Sequence, residues 1–168
     1  MGMDEHVAPP EVVTFLATVP LFQMAEFIAF PERRLTPQEW QSEQEELLAT
    51  DPASVTVRAL TDLPSGEMLV FDLGQRNEGF PLGIAELGWF ADLQSLGLGM
   101  SEYLSLAAEL APLERQMHHG VYPFREIVAA FDDRGLREHS YWAEWLAYLE
   151  ESRESTEDRM RDIREPTP

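Results

Sequence analysis

The chain contains no lysine and no cysteine: all twelve of its basic residues are arginines, set against 31 acids in 168 residues. Without cysteine there are no disulfides, no thiolate metal sites and no cysteine nucleophile. Without lysine nothing dilutes the acidic faces, and the formal net charge is −19. A field of that sign repels nucleic acid, anionic lipid and nucleotides. It attracts basic surfaces, and nucleic-acid-binding clefts are among the most basic in a cell. Two further absences concern location. No apolar run approaches the roughly 20 residues that span a bilayer, and the acidic opening Met1-Gly2-Met3-Asp4-Glu5-His6 lacks the basic-then-apolar pattern of a signal peptide. A soluble, cytoplasmic protein is expected.

Catalytic patterns are missing as well. There is no G-x-S-x-G, no phosphate-cradling glycine loop with lysine and no dinucleotide fingerprint. His118 and His119 are adjacent and point apart on a helix, so with His6 and His139 they make no metal set. Glu150, Glu151, Glu154, Glu157 and Asp158 could gather Mg²⁺ on a helix. Arg153, Arg159, Arg161 and Arg164 lie among them, and ion pairing along the helix is the simpler account. Asp132-Asp133 falls at a helix end, against the helix dipole, and is read as turn-forming. The expectation is a protein that is not an enzyme and has no metal and no cofactor.

What is present is enough for a core, with 44% hydrophobic and 10% aromatic residues. Val12 to Val19 is β-branched and apolar and reads as a buried strand, with Ala25 to Phe30 as a second. Thr36-Pro37-Gln38-Glu39 is a capping box with proline at the first helical position, opening a helix to about Ala49 whose thin apolar stripe is Trp40, Leu47 and Leu48. Ser54–Leu60 and Glu67–Leu73 read as strands around an Asp62-to-Gly66 turn, and 74–79 as a loop. Leu87, Phe90, Leu93 and Leu96 recur at helical spacing, predicting a helix over 84–96 that Gly97-Leu98-Gly99 ends. Ser101 then caps a helix carrying Leu104, Ala107, Ala108 and Leu110, which Pro112 kinks or splits. Pro123 opens another through Phe124, Ile127, Val128 and Phe131 to Gly135, and Ser140 caps the last, with Trp142, Trp145, Leu146 and Leu149 as its stripe. The fold class is α+β: a small mixed strand and helix N-terminal part, then a mainly helical C-terminal part, in an elongated arrangement. The parts are 1–66, 67–110 and 111–168.

Charge is uneven. Residues 1–110 carry 18 acids against four arginines, a net of −14, whereas 111–168 carry 13 against eight, a net of −5. A partner-binding surface is therefore expected in the first two thirds. Glu39, Glu43 and Glu46 line one edge of the first long helix, about 6 Å apart per turn, and could stand in for phosphates. Asp72 and Glu78 follow. Glu86 and Asp92 repeat the pattern on the next predicted helix, and Glu102 and Glu109 on the one after. An ordinary acidic helix would place lysines four residues from such glutamates, and this chain has none to place.

Taken in order, these segments resemble the ArdA-type antirestriction proteins of plasmids, transposons and phages. The segments are Val12-to-Ala17, the stretch ending at Phe30-Pro31 and the acidic helix Thr36-Pro37-Gln38-Glu39-Glu43-Glu46. They continue with Leu69-Val70-Phe71-Asp72, Glu78-Gly79-Phe80-Pro81, Ile84-Ala85-Glu86, Phe131-Asp132-Asp133, Gly135, Ser140 and Trp142-Ala143-Glu144. Residues 53–66 stand as an insertion, and the arginine-bearing tail after Ser152 departs from the family's pattern. The resemblance implies an elongated homodimer of small α+β domains whose aligned carboxylates occupy the DNA-binding groove of a type I restriction-modification enzyme. It implies no catalysis and no cofactor, and the charge leads to the expectation of no direct contact with nucleic acid or membrane. Three other readings stand beside it. They are an immunity or antitoxin-like protein neutralising a basic toxin, a metal-dependent hydrolase built on Glu150, Glu151 and Glu154, and an acidic scaffold.

Overall fold

In a computed structural model of the chain, Val12-Val13-Thr14-Phe15-Leu16-Ala17 is helical rather than extended. The structure describes residues 10–18, 28–50, 57–63, 66–72, 81–86, 93–119, 121 and 123–164, and of these the backbone alone at 48, 50, 72, 118 and 156–164. Helix α1 spans Pro10–Ala17. Proline suits its first turn, and Val12, Phe15 and Leu16, at helical spacing, are completely buried. Each such burial is worth about 1.5–3 kcal/mol, against a helix penalty of at most about 0.7 kcal/mol for a β-branched residue. Tertiary packing therefore outweighs the local strand preference. Thr14 and Thr18 donate their hydroxyls to the carbonyls four residues back, Pro10 and Thr14. The second expected strand reduces, over its described residues, to a single bridge at Ile28.

Helix α2 follows at Pro37–Thr50, and then four strands in unbroken chain order: β1 (Val57–Asp62), β2 (Glu67–Asp72), β3 (Pro81–Glu86) and β4 (Gln94–Gly99). They form one antiparallel meander, β1-β2-β3-β4. The β1–β2 hairpin matches expectation, closed by Leu63 N–H to Glu67 carbonyl and Gly66 N–H to Leu63 carbonyl bonds. It lies astride residue 66. The pairing register slips between Ala59 and Thr61, so Leu60 is an extra residue and both Ala59 and Leu60 are buried.

The helix predicted over 84–96 does not form in its described residues. Its described parts are the end of β3 and the start of β4, and residues 87–92 lie outside the description. The three-residue recurrence ending in Leu93 and Leu96 imitates a helix, but glycine decides the matter. A Cβ on Gly83 would come within 2.5 Å of the Leu93 side chain and 2.9 Å of the Gln94 carbonyl, so only glycine lets β3 and β4 approach there. Gly97, expected to end a helix, instead has φ 67° inside β4, where the β3–β4 register shifts and the Ser95 hydroxyl accepts its N–H.

Helix α3 (Met100–His118) starts directly from β4, before Ser101, with Glu102 accepting the Gly99 N–H in place of a serine cap. Its buried face is Met100, Tyr103, Leu106 and Leu110. The expected Leu104 and Ala107 are only half-buried and Ala108 is exposed. Pro112 sits inside α3 without splitting it. The contacts divide the chain into two compact units, Met1–Ala108 and Glu109–Pro168, and that division falls within α3.

In the first unit Phe15 stacks on Phe30 at 5.0 Å between ring centroids, and Tyr103 lies 6.2 Å from Phe15 and donates its hydroxyl to the Ala29 carbonyl. In the second, α4 (Phe124–Asp132) and α5 (Ser140–Arg164) flank a 3₁₀ turn at Leu136–Glu138. Trp142, Trp145, Leu146 and Leu149 are all buried, as their spacing requires, and Phe131 meets both tryptophans at 5.3 and 5.0 Å. The whole is α+β, with its four strands between residues 57 and 99 and mainly helix after them. No helix among the described residues is long and apolar enough to cross a membrane.

Replacing Gly83 by alanine overpacks the β3–β4 seam. The expected loss is about 1–3 kcal/mol, read as a lower urea midpoint with an unchanged m-value.

Candidate partner-binding groove

Helix α2 begins with the reciprocal cap its sequence announces. Thr36 Oγ1 accepts the Glu39 N–H at 3.2 Å, and Glu39 Oε2 accepts the Thr36 N–H at 2.8 Å. Arg33, on the segment leading into the helix, then reaches Glu39 at 3.1 Å and Glu43 at 3.4 Å through its two terminal nitrogens. The Thr36 amide and hydroxyl, with Arg33 assisting, hold the Glu39 carboxyl below its usual 4.5. Both ion pairs are about half exposed and therefore individually weak.

One turn further on, α2 is bound to β1. Gln44 is 7% exposed, and its amide treats Ala59 as a neighbouring strand would. Its Nε2 donates to the Ala59 carbonyl at 3.1 Å and its Oε1 accepts the Ala59 N–H at 3.0 Å. The Trp40 indole donates to the same carbonyl at 2.8 Å and lies near-parallel to Phe71 at 6.0 Å between ring centroids. β1 is an edge strand, and these bonds cover its outward backbone groups at Ala59. Sequence reading overlooked Gln44, although it is four residues after Trp40 and three before Leu47, on the stripe the helix buries.

Beside this junction α2, β1 and residues 31–35 enclose an open groove of about 710 Å³. Its apolar lining includes Leu35, Leu47, Leu60 and Met68, its carboxylates are Glu32, Glu43, Glu46 and Asp62, and Arg33 is the one cation among the residues lining it. Glu43 and Glu46 are thus brought together with two acids that sequence reading did not single out. Glu32 and Asp62 are 30 positions apart, and no local pattern joins them.

The remaining expected site residues are placed differently. Glu39 faces Arg33 and the helix cap. Glu86 is exposed at the end of β3, paired in register with Glu67, and so is not on a helix with Asp92. Asp72 ends β2 with its backbone alone described, and Glu78 and Asp92 lie outside the described residues. Glu102 serves the turn into α3, and Glu109 pairs with Arg134 at 2.7 Å. Asp132 pairs with Arg137 at 3.3 Å, which accounts for an acid at a helix end. On α5 Arg153 is 4.0 Å from Glu150 and lies over the Phe124 ring. Among the described residues no three His, Asp or Glu side chains are gathered as a metal site would need.

No family model, curated protein or solved structure matches this chain.

Two outcomes follow from the junction and the cap. Gln44→Leu removes the acceptor for the Ala59 N–H, and urea denaturation should show a loss of about 1–3 kcal/mol. For Glu39 the sign is that of a carboxylate with a lowered folded value. Its contribution is present above pH 4.5 and fades as pH falls through the lower folded value. Glu39→Gln should therefore destabilise the protein at pH 7, and the gap to wild type should narrow in denaturation as the pH is lowered below 4.5.

Proposed function

We propose that this protein is a non-catalytic acidic inhibitor that binds the basic nucleic-acid cleft of a DNA-binding enzyme, acting in the cytoplasm as ArdA-type antirestriction proteins do. The observation that carries the reading is the charge of −19 with no lysine. Exposed acids on α2 and at the end of β3 support it, since Glu39, Glu43, Glu45, Glu46 and Glu86 all face solvent. A basic cleft that meets such a surface releases the counterions of both partners, so affinity depends steeply on salt.

The concave, acid-rimmed groove favours a second reading. An immunity or antitoxin-like protein neutralising one basic toxin would grip a particular segment of it, and a groove is suited to that task whereas a row of surface charges is suited to a cleft. The two differ in breadth. A DNA mimic competes with DNA on enzymes of unrelated sequence, and a neutraliser forms one tight pair.

The test is displacement of DNA from a type I restriction-modification enzyme by the purified protein, across a salt series. Stoichiometric displacement should weaken by roughly a hundredfold between about 50 and about 200 mM salt. The charge reversals Glu43→Lys and Glu46→Lys should reduce it further, with unchanged circular dichroism. Displacement indifferent to salt, or none at low salt, would reject the inhibitor reading.

A further inference from the structure

We propose that the α2–β1 groove is the docking site for an extended segment of the partner in which arginine or lysine alternates with apolar side chains, and that Arg33 stands in for the partner's cation until it is displaced. The inference rests on the reading that the partner is basic, and it names where and by what chemistry that partner is held.

The size is right for a few side chains: about 710 Å³ is within the range of built ligand sites and far below what a duplex needs. The chemistry then selects the occupant. Leu35, Leu47 and Met68 offer half-buried apolar surface, whereas Glu32, Glu46 and Asp62 are exposed carboxylates. A purely apolar ligand would desolvate that rim without pairing it, and an anionic one would be repelled. Arginine and lysine side chains combine an apolar stem with a cationic head, which is the same division of surface. An extended segment also sends alternate side chains to opposite sides, one set to the apolar lining and one to the rim.

Arg33 provides the internal precedent. Its guanidinium already joins two carboxylates, Glu39 and Glu43, from the groove's edge. The Glu43 contact is long at 3.4 Å and both partners are half exposed, so exchanging this cation for another costs little. The walls, by contrast, do not have to assemble on binding. The two-way Gln44–Ala59 amide pairing fixes helix to strand whether or not the groove is filled, and preorganisation of that kind favours affinity.

The experiment is fluorescence anisotropy of labelled decapeptides on the full chain at low salt, one alternating Leu and Arg and one alternating Leu and Glu. Asp62→Asn combined with Glu46→Gln should weaken the Arg peptide about tenfold. Arg33→Ala should tighten it roughly threefold. Removing the same two charges elsewhere, by Glu126→Gln with Glu144→Gln, should leave it unchanged, and the Glu peptide should not bind. Equal weakening by both pairs of substitutions would overturn the proposal, because charge alone would then explain binding. So would an Arg33→Ala variant that binds more weakly.

Displacement assays separate the two levels. If the Asp62→Asn, Glu46→Gln variant still displaces DNA from the enzyme as wild type does, the groove proposal fails and the inhibitor reading survives. If the Arg peptide binds in the groove while no DNA-binding enzyme is displaced, the groove proposal stands and that reading falls.

Discussion

The amide of Gln44 is the contact on which the first unit depends. β1 lies at the edge of a four-stranded meander, and an edge strand exposes backbone groups that either recruit another chain or must be covered. The bulge at Leu60 makes the problem sharper, since it interrupts the ladder where the strand needs support. A glutamine side chain has the donor and acceptor of a peptide group, and Gln44 presents both to Ala59. The Trp40 indole adds a second donor to the same carbonyl. A helix is thereby attached to a sheet edge by hydrogen bonds as well as by apolar packing. That attachment sets the separation of α2 and β1, and with it the groove between them.

The parts of this architecture that could be read from the sequence are those whose cause is local. Thr36 and Glu39 contain both halves of their cap, so four consecutive residues suffice to place the start of α2. The α5 stripe of Trp142, Trp145, Leu146 and Leu149 is long and strongly periodic, and all four are buried. Where local preference and packing disagree, packing prevails. α1 contains three β-branched residues, yet it is a helix because Val12, Phe15 and Leu16 fall on one side and are entirely buried. β3 and β4 are missed because the three-residue recurrence from Leu87 to Leu96 imitates a helix, while the close approach at Gly83 that requires strands arises only in the tertiary fold. The groove was half legible. Glu43 and Glu46 stand out on α2, but Asp62 and Glu32 reach it only through the tertiary fold.

Arginine as the sole cation makes sense in this setting. Arg33 joins two glutamates, Arg134 pairs with Glu109 while donating to the Ala130 carbonyl, Arg137 meets Asp132, and Arg153 lies between Glu150 and the Phe124 ring. These are tasks for a planar group with several donors, which lysine performs poorly. Each cation is tied to nearby structure, so none of these four acts as a loose positive charge over the surface.

The same bonds sort the acids, which composition treats as equivalent. Glu39 holds a helix start, Glu102 a turn, and Glu109 and Asp132 hold arginines within the second unit. A partner that took these carboxylates would first have to break an existing contact. Glu32 and Asp62, at the rim of the groove, are held by no such bond among the described residues. A count of charges therefore overstates the acidic surface that is free of structural duties. Charge alone sets the rate and range of encounter, and only shape with charge can make the encounter selective.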